Sequence, residues 1–588
     1  MSHIESDFSL VNIPVHLKQF VVDQDYDKYT PIDQAVWRYV MRQNYNFLGR
    51  RAHTAYLDGL QASGISIEKI PNIREMDRCL SEIGWGAVSI DGFIPAVAFF
   101  DFQAHQILPI ACDIRTYDHV AYTPAPDIIH EAAGHAPIIK DEKYRDYLKI
   151  FGEIGSKAIS SRADYELYEA IRYLSIVKED INATEEQVLA AEEDLARKTA
   201  AVTEVSEATQ LSRLYWWTVE YGLIGDVDHP QIYGAGLLSS VGESMSCLTD
   251  GVKKIPFSLD ACIETDFDIT KPQPQLFVCR DFDQLIEAVL EMKKRMALHL
   301  GGTESLHKAI NSGQITTSVY SSGLQVSGTL HHLILDDQGE AIYLATEGPT
   351  ALAFGDIELV GHDKSYHSHG FSSPIGKIKG NEKPLEDWTD AELEAYDLVV
   401  GKKTVVCFAS GVEVVGRVSY IDRMQDKVVL IGFDECTVRY QERVLFQAEW
   451  GTYDMAVGAE IVSVYAGAAD REKFQSGTHQ PSETQTRRPI YTDVQKRQQQ
   501  LYQIVRNLRT EEGAEEELPE SLQAIMQELD ASYPNDWLLR LEILEIMMGH
   551  HFPESDCQRL HSQIKEIGDA DHELAVLIAN GLSLLENQ

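Results

Sequence analysis

With 588 residues, the chain is too long for one hydrophobic core, and about three domains are expected. Its content of 44 % hydrophobic and 24 % charged residues is that of a globular protein and excludes a disordered chain. The formal net charge of −41 disfavours binding to nucleic acid or to an anionic membrane surface.

The cysteines and the N-terminus indicate a reduced compartment. None of the eight cysteines belongs to a CxxC pair, which disfavours a zinc ribbon. The N-terminal residues lack a basic segment followed by an apolar run, and no stretch of about 18 apolar residues occurs. We therefore expect a cytoplasmic protein with no membrane partner.

Residues 1–300 are expected to form a mostly helical domain. Through most of this range, aromatic and aliphatic residues recur at spacings of three and four, with few strand signals. A charged, alanine-rich stretch at about 161–209 predicts a helical hairpin inserted into this domain. Within it, Thr184 and Gln187 have the spacing of a capping box ahead of a helix.

The pattern changes after about residue 313. Residues 313–467 contain short alternating runs such as GVEVVGRVSYID, separated by glycine and aspartate, which predict a β-rich domain. Residues 475–489 are polar and nearly free of aliphatic side chains, which indicates a linker. An acidic helical region is expected at 491–588.

Two histidines lie five residues apart in the stretch PDIIHEAAGHAPII. On an α-helix, residues five apart point about 140° away from each other, so His130 and His135 could not both face one metal ion from a straight helix. Because Pro137 disfavours helix at the residue before it, we expect a short helix that ends at about His135. A ligand on that last turn could swing back toward a metal ion bound by His130.

A third ligand is expected, because two imidazoles complete only part of a metal site. Glu220 in LYWWTVEYGL is the best candidate, since an aromatic helix would bury it and a buried carboxylate needs a partner. Two histidines and one carboxylate with open positions are the arrangement of iron(II) oxygenases, and a zinc site is the alternative. On spacing alone, an ordinary core or solvated role for these side chains is an equal alternative.

Three motifs in the same order resemble those of the pterin-dependent aromatic amino acid hydroxylases: YTPAPDIIHEAAGHAPI, LYWWTVEYGL and YGAGLLSSVGE. The resemblance extends over about Tyr29 to Leu300. It implies a mostly α catalytic domain with the family's basket fold, followed here by the β-rich domain and the C-terminal helical region. It also implies Fe(II) held by His130, His135 and Glu220, with tetrahydrobiopterin or another tetrahydropterin as cofactor and O2 as co-substrate.

The resemblance implies further site residues, each carried over from its position in a motif. The residues expected to bind the small-molecule aromatic amino acid are Arg115, Thr123, Pro126, Trp216 and Tyr221. The residues expected to contact the pterin are Phe99 and Glu131. The residues expected to support catalysis beside the metal are Ser239 and Glu243, the latter by orienting a ligand histidine.

The resemblance alone does not decide which amino acid is the substrate or which class of reaction is catalysed. Val278 lies where an acidic residue is expected in tyrosine-selective relatives, so L-phenylalanine is the expected substrate and L-tyrosine the product. Hydroxylation of tyrosine or tryptophan is the alternative within the family. A zinc hydrolase with Glu131 as general base, or an amino acid sensor, are the alternatives outside it.

A second histidine cluster lies in the β-rich region. His362, His367 and His369 in GHDKSYHSHG could form another metal site. A solvated loop is the favoured interpretation. The sequence assigns no role to the regions after residue 313, and regulation, oligomerisation and partner docking are all open.

Overall fold

The structure is a computed structural model that describes residues 13–90, 94–120, 127–179, 183–269, 271–475, 491–510, 518–569 and 572–586. Thr123 and Pro126, which the resemblance assigns to the substrate, lie outside these residues. Of the helices in the described part of the chain, none has both the length and the hydropathy needed to cross a membrane.

Helices form most of the first three hundred residues, and the sequence explains where they begin. The helix Pro31–Leu48 starts with a capping box, in which the side chains of Thr30 and Asp33 each accept a hydrogen bond from the other's backbone nitrogen. Pro31 occupies its first position, where a missing N–H has no consequence. The α-helices of this part are Pro31–Leu48, Ala55–Ala62, Ile73–Ser81, Ala96–Ala104, Glu142–Gly155, Arg162–Glu179, Glu185–Ala201, Glu207–Tyr215, Ala235–Ser239, Glu243–Ser246, Leu259–Glu264, Phe282–Arg295, Ala297–Leu300 and Gly302–Ser312.

Two small sheets accompany these helices. The strands are β1 (Gly86–Ile90), β2 (Ile107–Ala111), β3 (Leu223–Gly225), β4 (Pro230–Ile232), β5 (Lys253–Pro256) and β6 (Gln275–Cys279). β1 pairs with β2 in parallel, and the other sheet has the order β4-β3-β6-β5. Strands of three to five residues are too short to produce a clear alternating pattern, so the sequence indicated few of them.

The charged, alanine-rich insertion consists of two paired helices, Arg162–Glu179 and Glu185–Ala201. Lys178, late in the first helix, contacts Glu192 at 2.9 Å, and Glu166, early in the first helix, contacts Lys198 near the end of the second at 2.5 Å, so the helices run antiparallel. The second helix begins with the capping box at Thr184.

Strands dominate from residue 315 to residue 466. They are β7 (Ile315–Tyr320), β8 (Leu324–Leu335), β9 (Ala341–Phe354), β10 (Ile357–Glu358), β11 (Ser372–Pro374), β12 (Lys403–Cys407), β13 (Val412–Met424), β14 (Lys427–Tyr440), β15 (Arg443–Phe446), β16 (Tyr453–Ala456) and β17 (Ile461–Ala466). One sheet has the order β10-β9-β8-β7-β17 with β11 on β9, and the other has the order β12-β13-β14-β15 with β16 on β14. Val412, Val414 and Val418 of β13 are buried while Glu413 and Arg417 are exposed, which is the alternation that predicted this strand.

The histidines of the β-rich region are not in a solvated loop, so that interpretation is wrong for two of the three. His362 and His367 are each 8 % exposed, whereas His369 is exposed. The loop folds back on β9, where the backbone nitrogens of Thr350 and Leu352 donate to the carbonyls of His367 and His362. These backbone bonds hold both rings inside the protein.

Two short helices accompany the sheets: Asp390–Ala395 lies between β11 and β12, and Arg471–Gln475 follows β17. The helices at the C-terminal end are Asp493–Thr510, Leu518–Ser532, Trp537–Gly549, Glu554–Gly568 and His572–Glu586. Leu501, Trp537 and Leu582 belong to the same hydrophobic core as Trp37 and Phe151 of the first domain. The C-terminal helices therefore pack on the first domain instead of forming a core of their own.

Candidate active site and metal centre

The two histidines face each other because the segment that carries them is a π-helix, Ile129–His135. A π-helix closes its hydrogen bonds between residues five apart, so residues at that spacing lie on one side. The Nε2 atoms of His130 and His135 lie 3.2 Å apart. The predicted end of the helix at His135 agrees with the structure, but the predicted reason is wrong: the ring of His135 does not swing back from a fraying α-helix.

Glu220 joins the two histidines from a second π-helical segment, Trp216–Glu220, which continues the helix Glu207–Tyr215. Its Oε2 lies 3.1 Å from Nε2 of His130, and its Oε1 lies 3.2 Å from Nε2 of His135. Both imidazoles and the carboxylate thus converge on one point from two separate helices. The His130 and Glu220 side chains stay 20 % and 12 % exposed, so the cluster is open on one side.

Two glycines allow the segments that carry His135, Glu220 and Ala235 to pack closely against one another. A Cβ on Gly134 would lie 2.6 Å from the carbonyl oxygen of Ala235, and one on Gly234 would lie 2.5 Å from the carbonyl oxygen of Glu220. Any side chain at either position would push the segments apart. Gly234 of YGAGLLSSVGE therefore serves close packing beside the cluster, whereas a Cβ on Gly242 of the same motif would meet nothing within 4 Å.

The donor set fits a divalent transition-metal ion. Adjacent ligands on an octahedral ion with bonds of about 2.1 Å lie about 3 Å apart, close to the three separations of 3.1 to 3.2 Å found here. Two nitrogens and one carboxylate on one face are also the ligand set of non-haem iron(II) oxygenases. His130, His135 and Glu220 could hold such an ion and leave its other positions for reactants.

The electrostatics of the cluster favour a cation at its centre. Burial opposes charge on His130, but the Glu220 carboxylate more than offsets it and raises the pKa of this imidazole to about 9. Burial likewise opposes ionisation of Glu220, yet the two imidazoles hold its pKa well below the ordinary value. The carboxylate thus stays negative and attracts a proton to His130, which a bound metal ion would displace.

The hydrogen bond with Ser239 places a proton on the nitrogen of His130 that faces away from the cluster. The Ser239 hydroxyl donates to the carbonyl oxygen of Ala235 at 2.8 Å, so it accepts from Nδ1 of His130, which lies 3.1 Å away. A proton on Nδ1 leaves the Nε2 lone pair free for a metal.

Replacing Ser239 with alanine is expected to weaken metal binding or turnover by about 10- to 100-fold, the usual effect of losing such a partner. The measurement is iron affinity together with kcat. Ser240→Ala is the matched control, because the Ser240 hydroxyl accepts from the backbone nitrogen of Glu243 and not from the histidine. Equal effects of both substitutions would show that Ser239 does not orient His130.

Arg115 lies in a buried ion pair that sequence reasoning missed. Its Nε and Nη2 donate to the two carboxylate oxygens of Asp127 at 2.8 and 2.9 Å. Asp127 Oδ1 also accepts from the backbone nitrogen of His130 at 3.0 Å, as a helix-capping aspartate does. An aspartate three residues before the first histidine is a cap signal, which could have revealed the contact of Asp127 with the backbone of His130 but not its ion pair with Arg115.

Asp127 therefore ties Arg115 to the metal cluster. Burial opposes ionisation of Asp127, but the guanidinium more than offsets it and holds the pKa of this carboxyl below its ordinary value. Nη1 of Arg115 points toward the carbonyl oxygen of Ser239, 3.4 Å away. The guanidinium is thus fixed beside the residues that surround His130.

Aromatic rings form one wall next to Glu220. The ring of Trp216 stacks on Tyr221 at a centroid distance of 4.6 Å and on Phe267 at 4.4 Å. Sequence reasoning missed Phe267, which comes from a loop after the helix Leu259–Glu264. The three rings form an apolar cluster next to the segment that carries Glu220.

Glu243 does not orient a ligand histidine, which corrects the prediction. Its Oε2 accepts from the Tyr221 hydroxyl at 3.0 Å, and its Oε1 accepts from the backbone nitrogen of Gln273 at 3.0 Å. Tyr221 directly follows Glu220 in the chain, so the carboxylate of Glu243 supports the aromatic wall.

The two residues expected to contact a pterin lie on different elements. Phe99, on the helix Ala96–Ala104, is half-buried and packs edge-on against Tyr215 at a centroid distance of 5.9 Å. Glu131 is buried, with its Oε2 3.8 Å from Nε2 of His135. Burial raises the pKa of Glu131 above its ordinary value.

Comparison with known proteins identifies similar sequences over the same part of the chain. A family model described as biopterin-dependent aromatic amino acid hydroxylase matches residues 23–190 and 194–301. A phenylalanine-4-hydroxylase of Mesorhizobium japonicum is 28 % identical over 273 residues, which are 46 % of this chain and 82 % of that protein. The enzyme of the same name from Chromobacterium violaceum is 27 % identical over 271 residues, 46 % of this chain and 76 % of that protein.

Solved structures of the Chromobacterium violaceum protein are also similar. One, with bound iron(III) and 7,8-dihydrobiopterin, has 26 % sequence identity and a TM-score of 0.38, and the match covers 47 % of this chain and 86 % of that one. Another, bound to cobalt, has 25 % identity and a TM-score of 0.37, with coverage of 50 % and 89 %.

Proposed function

Residues 23–190 and 194–301 of this chain belong to the biopterin-dependent aromatic amino acid hydroxylase family, and on that premise we propose that the protein hydroxylates L-phenylalanine to L-tyrosine. The proposed reactants are O2 and a tetrahydropterin, with iron(II) at the metal centre. The observation that carries the proposal is the convergence of His130, His135 and Glu220, with ligand atoms 3.1 to 3.2 Å apart. The phenylalanine-4-hydroxylases among the relatives support phenylalanine as the substrate.

The protein's own part in this reaction is to bind the reactants, to orient them and to exclude water. When bound, iron(II) supplies the oxygen-activating redox chemistry, with two electrons from the tetrahydropterin. His130, His135 and Glu220 would hold the ion and leave its remaining positions open to reactants. The apolar rings of Trp216 and Tyr221 exclude water from the side of the substrate ring.

We assign Arg115 to the carboxylate of the amino acid. A planar guanidinium suits a planar carboxylate, and the ion pair with Asp127 fixes its position before the substrate arrives. Phe99 and Glu131 are assigned to the pterin. Each of these roles is carried over from the position of the residue in the family's motifs.

The direct test is incubation of iron-loaded protein with O2, a tetrahydropterin and each aromatic amino acid in turn, with products identified by mass. Phenylalanine is expected to gain one oxygen atom faster than tyrosine or tryptophan does. Protein that holds iron and oxidises none of the three would overturn the proposal. Activity restored by zinc and not by iron would favour a hydrolase with Glu131 as base.

Replacing Arg115 with lysine should raise the KM for the amino acid by about 10- to 100-fold, as expected for the loss of a charged hydrogen bond worth about 1.5 to 3 kcal/mol. Lysine keeps a positive charge beside Asp127, so the buried carboxylate is not left unpaired. Iron content and the thermal midpoint of the variant, measured alongside, should match those of the wild type. An unchanged KM would assign the carboxylate contact to another residue.

A further inference from the structure

A second cluster of potential metal ligands lies in the β-rich region. Among the described residues, His362, His367 and Asp454 each offer one ligand atom, and these atoms all lie within 4.8 Å of one another. All three residues are buried, with exposures of 8 %, 8 % and 5 %. None of them belongs to the part of the chain that matches the hydroxylase family.

The fold brings these residues together from the two different sheets. His362 and His367 lie in the loop that follows β10, and backbone bonds to β9 hold this loop in place. Asp363 closes the turn between them by accepting from the backbone nitrogens of Ser365 and Tyr366, both at 2.8 Å. Asp454 lies on β16, which pairs with β14 of the other sheet.

The side chains point their donor atoms at one another. Nδ1 of His362 lies 3.2 Å from Nε2 of His367, and this Nε2 lies 3.9 Å from Oδ2 of Asp454. The Tyr420 hydroxyl donates to the other carboxylate oxygen, Oδ1. Asp454 is thus oriented by Tyr420 with Oδ2 turned toward the histidines, which is how supporting groups orient metal ligands.

The spacing fits a bound ion. Ligands on a tetrahedral ion with bonds of about 2.1 Å lie about 3.4 Å apart, between the two separations of 3.2 and 3.9 Å. A direct hydrogen bond between the two rings would account for the shorter distance, but not for the carboxylate oxygen that lies within 4.8 Å of both ring nitrogens.

We propose that His362, His367 and Asp454 bind a divalent transition-metal ion, which joins the loop after β10 to β16 and so connects the two sheets. Two imidazole nitrogens and one carboxylate oxygen suit zinc as well as iron(II), and zinc is the more tightly bound of the two at such ligands.

The test is a count of zinc bound to the full-length chain after equilibration with Zn²⁺ and removal of the free ion. Two equivalents are expected for the wild type, one at each cluster, because the first cluster also suits zinc. His367→Gln and Asp454→Asn should each bind one equivalent less. The double variants Glu220→Ala/His367→Gln and Glu220→Ala/Asp454→Asn should likewise bind one equivalent less than Glu220→Ala alone.

The matched control is His369→Gln, which removes an exposed histidine from the same loop and should leave the zinc content unchanged. Zinc should also raise the thermal midpoint of the Glu220→Ala chain and not that of Glu220→Ala/Asp454→Asn. Asparagine at position 454 keeps an acceptor for Tyr420, so this variant is expected to fold. Unchanged zinc content in folded His367→Gln and Asp454→Asn would overturn the proposal and leave only a hydrogen bond between the rings.

Discussion

Replacing Glu220 with alanine is expected to remove iron from the protein and to abolish ring hydroxylation. Glu220 approaches both histidines, with one carboxylate oxygen 3.1 Å from His130 and the other 3.2 Å from His135. Its loss leaves two imidazoles and no negative ligand, so the two rings would hold a divalent ion poorly. Iron binding should weaken by more than about 100-fold, beyond the usual effect of losing a supporting group.

The measurement is iron content after anaerobic loading and gel filtration, together with product formed by the same samples. Glu131→Gln is the matched control, because Glu131 is also a buried carboxylate near His135 but lies 3.8 Å from its Nε2. The control should keep its iron. Full iron occupancy in Glu220→Ala would remove Glu220 from the metal site, and iron loss in Glu131→Gln would make Glu131 a ligand.

The metal cluster could be predicted from the sequence, but its local geometry could not. His130, His135 and Glu220 stand out because histidines and a carboxylate in apolar surroundings need a partner. The π-helical turn at His130 leaves no compositional signal, because a π-helix differs from an α-helix only in its hydrogen bonding. An argument from α-helical angles therefore identified the right residues and gave the wrong reason for their contact.

Contacts between segments that are separated in the chain were also not predictable from the sequence. The sequence singled out Arg115 but not its partner Asp127, because only the folded chain places this aspartate within 2.8 Å of the guanidinium. His362 and His367 were noted together with His369, whereas Asp454 comes to the first two through the pairing of β16 with β14. Alternation of residues predicts a strand but not the order of strands in a sheet.

The C-terminal helices show the same limit on a larger scale. Their acidic, helical character is visible in the sequence, but the surface that they cover is not. The Tyr39 hydroxyl donates to the carbonyl oxygen of Leu577 at 2.6 Å, and the ring of Trp537 packs against Tyr117 at a centroid distance of 6.1 Å. Because Tyr117 lies two residues from Arg115, these helices contact the segment assigned to the substrate.

A buried charge cluster joins these helices to the first domain. Arg38, on the helix Pro31–Leu48, donates to Glu542 at 3.0 Å and to the two oxygens of Glu545 at 2.6 and 2.8 Å. Arg38 is only 5 % exposed, and Glu542 is 7 % exposed. Both carboxylates lie on the helix Trp537–Gly549, so this cluster depends on the docking of that helix.

Replacing Arg38 with alanine is expected to cost about 1.5 to 3 kcal/mol of docking stability, because it removes charged hydrogen bonds to two buried carboxylates, which then keep Arg42 and Arg509 as partners. Hydrogen exchange of the helix Trp537–Gly549 should then speed up by about 10- to 100-fold, while exchange in β13 should stay unchanged. Arg497→Ala is the matched control, since Arg497 pairs with Glu528 in an exposed bidentate contact that is worth about 1 kcal/mol or less. Exchange in the Trp537–Gly549 helix that is equally slow in both variants would mean that apolar packing alone, through residues such as Trp537, holds the C-terminal helices on the first domain.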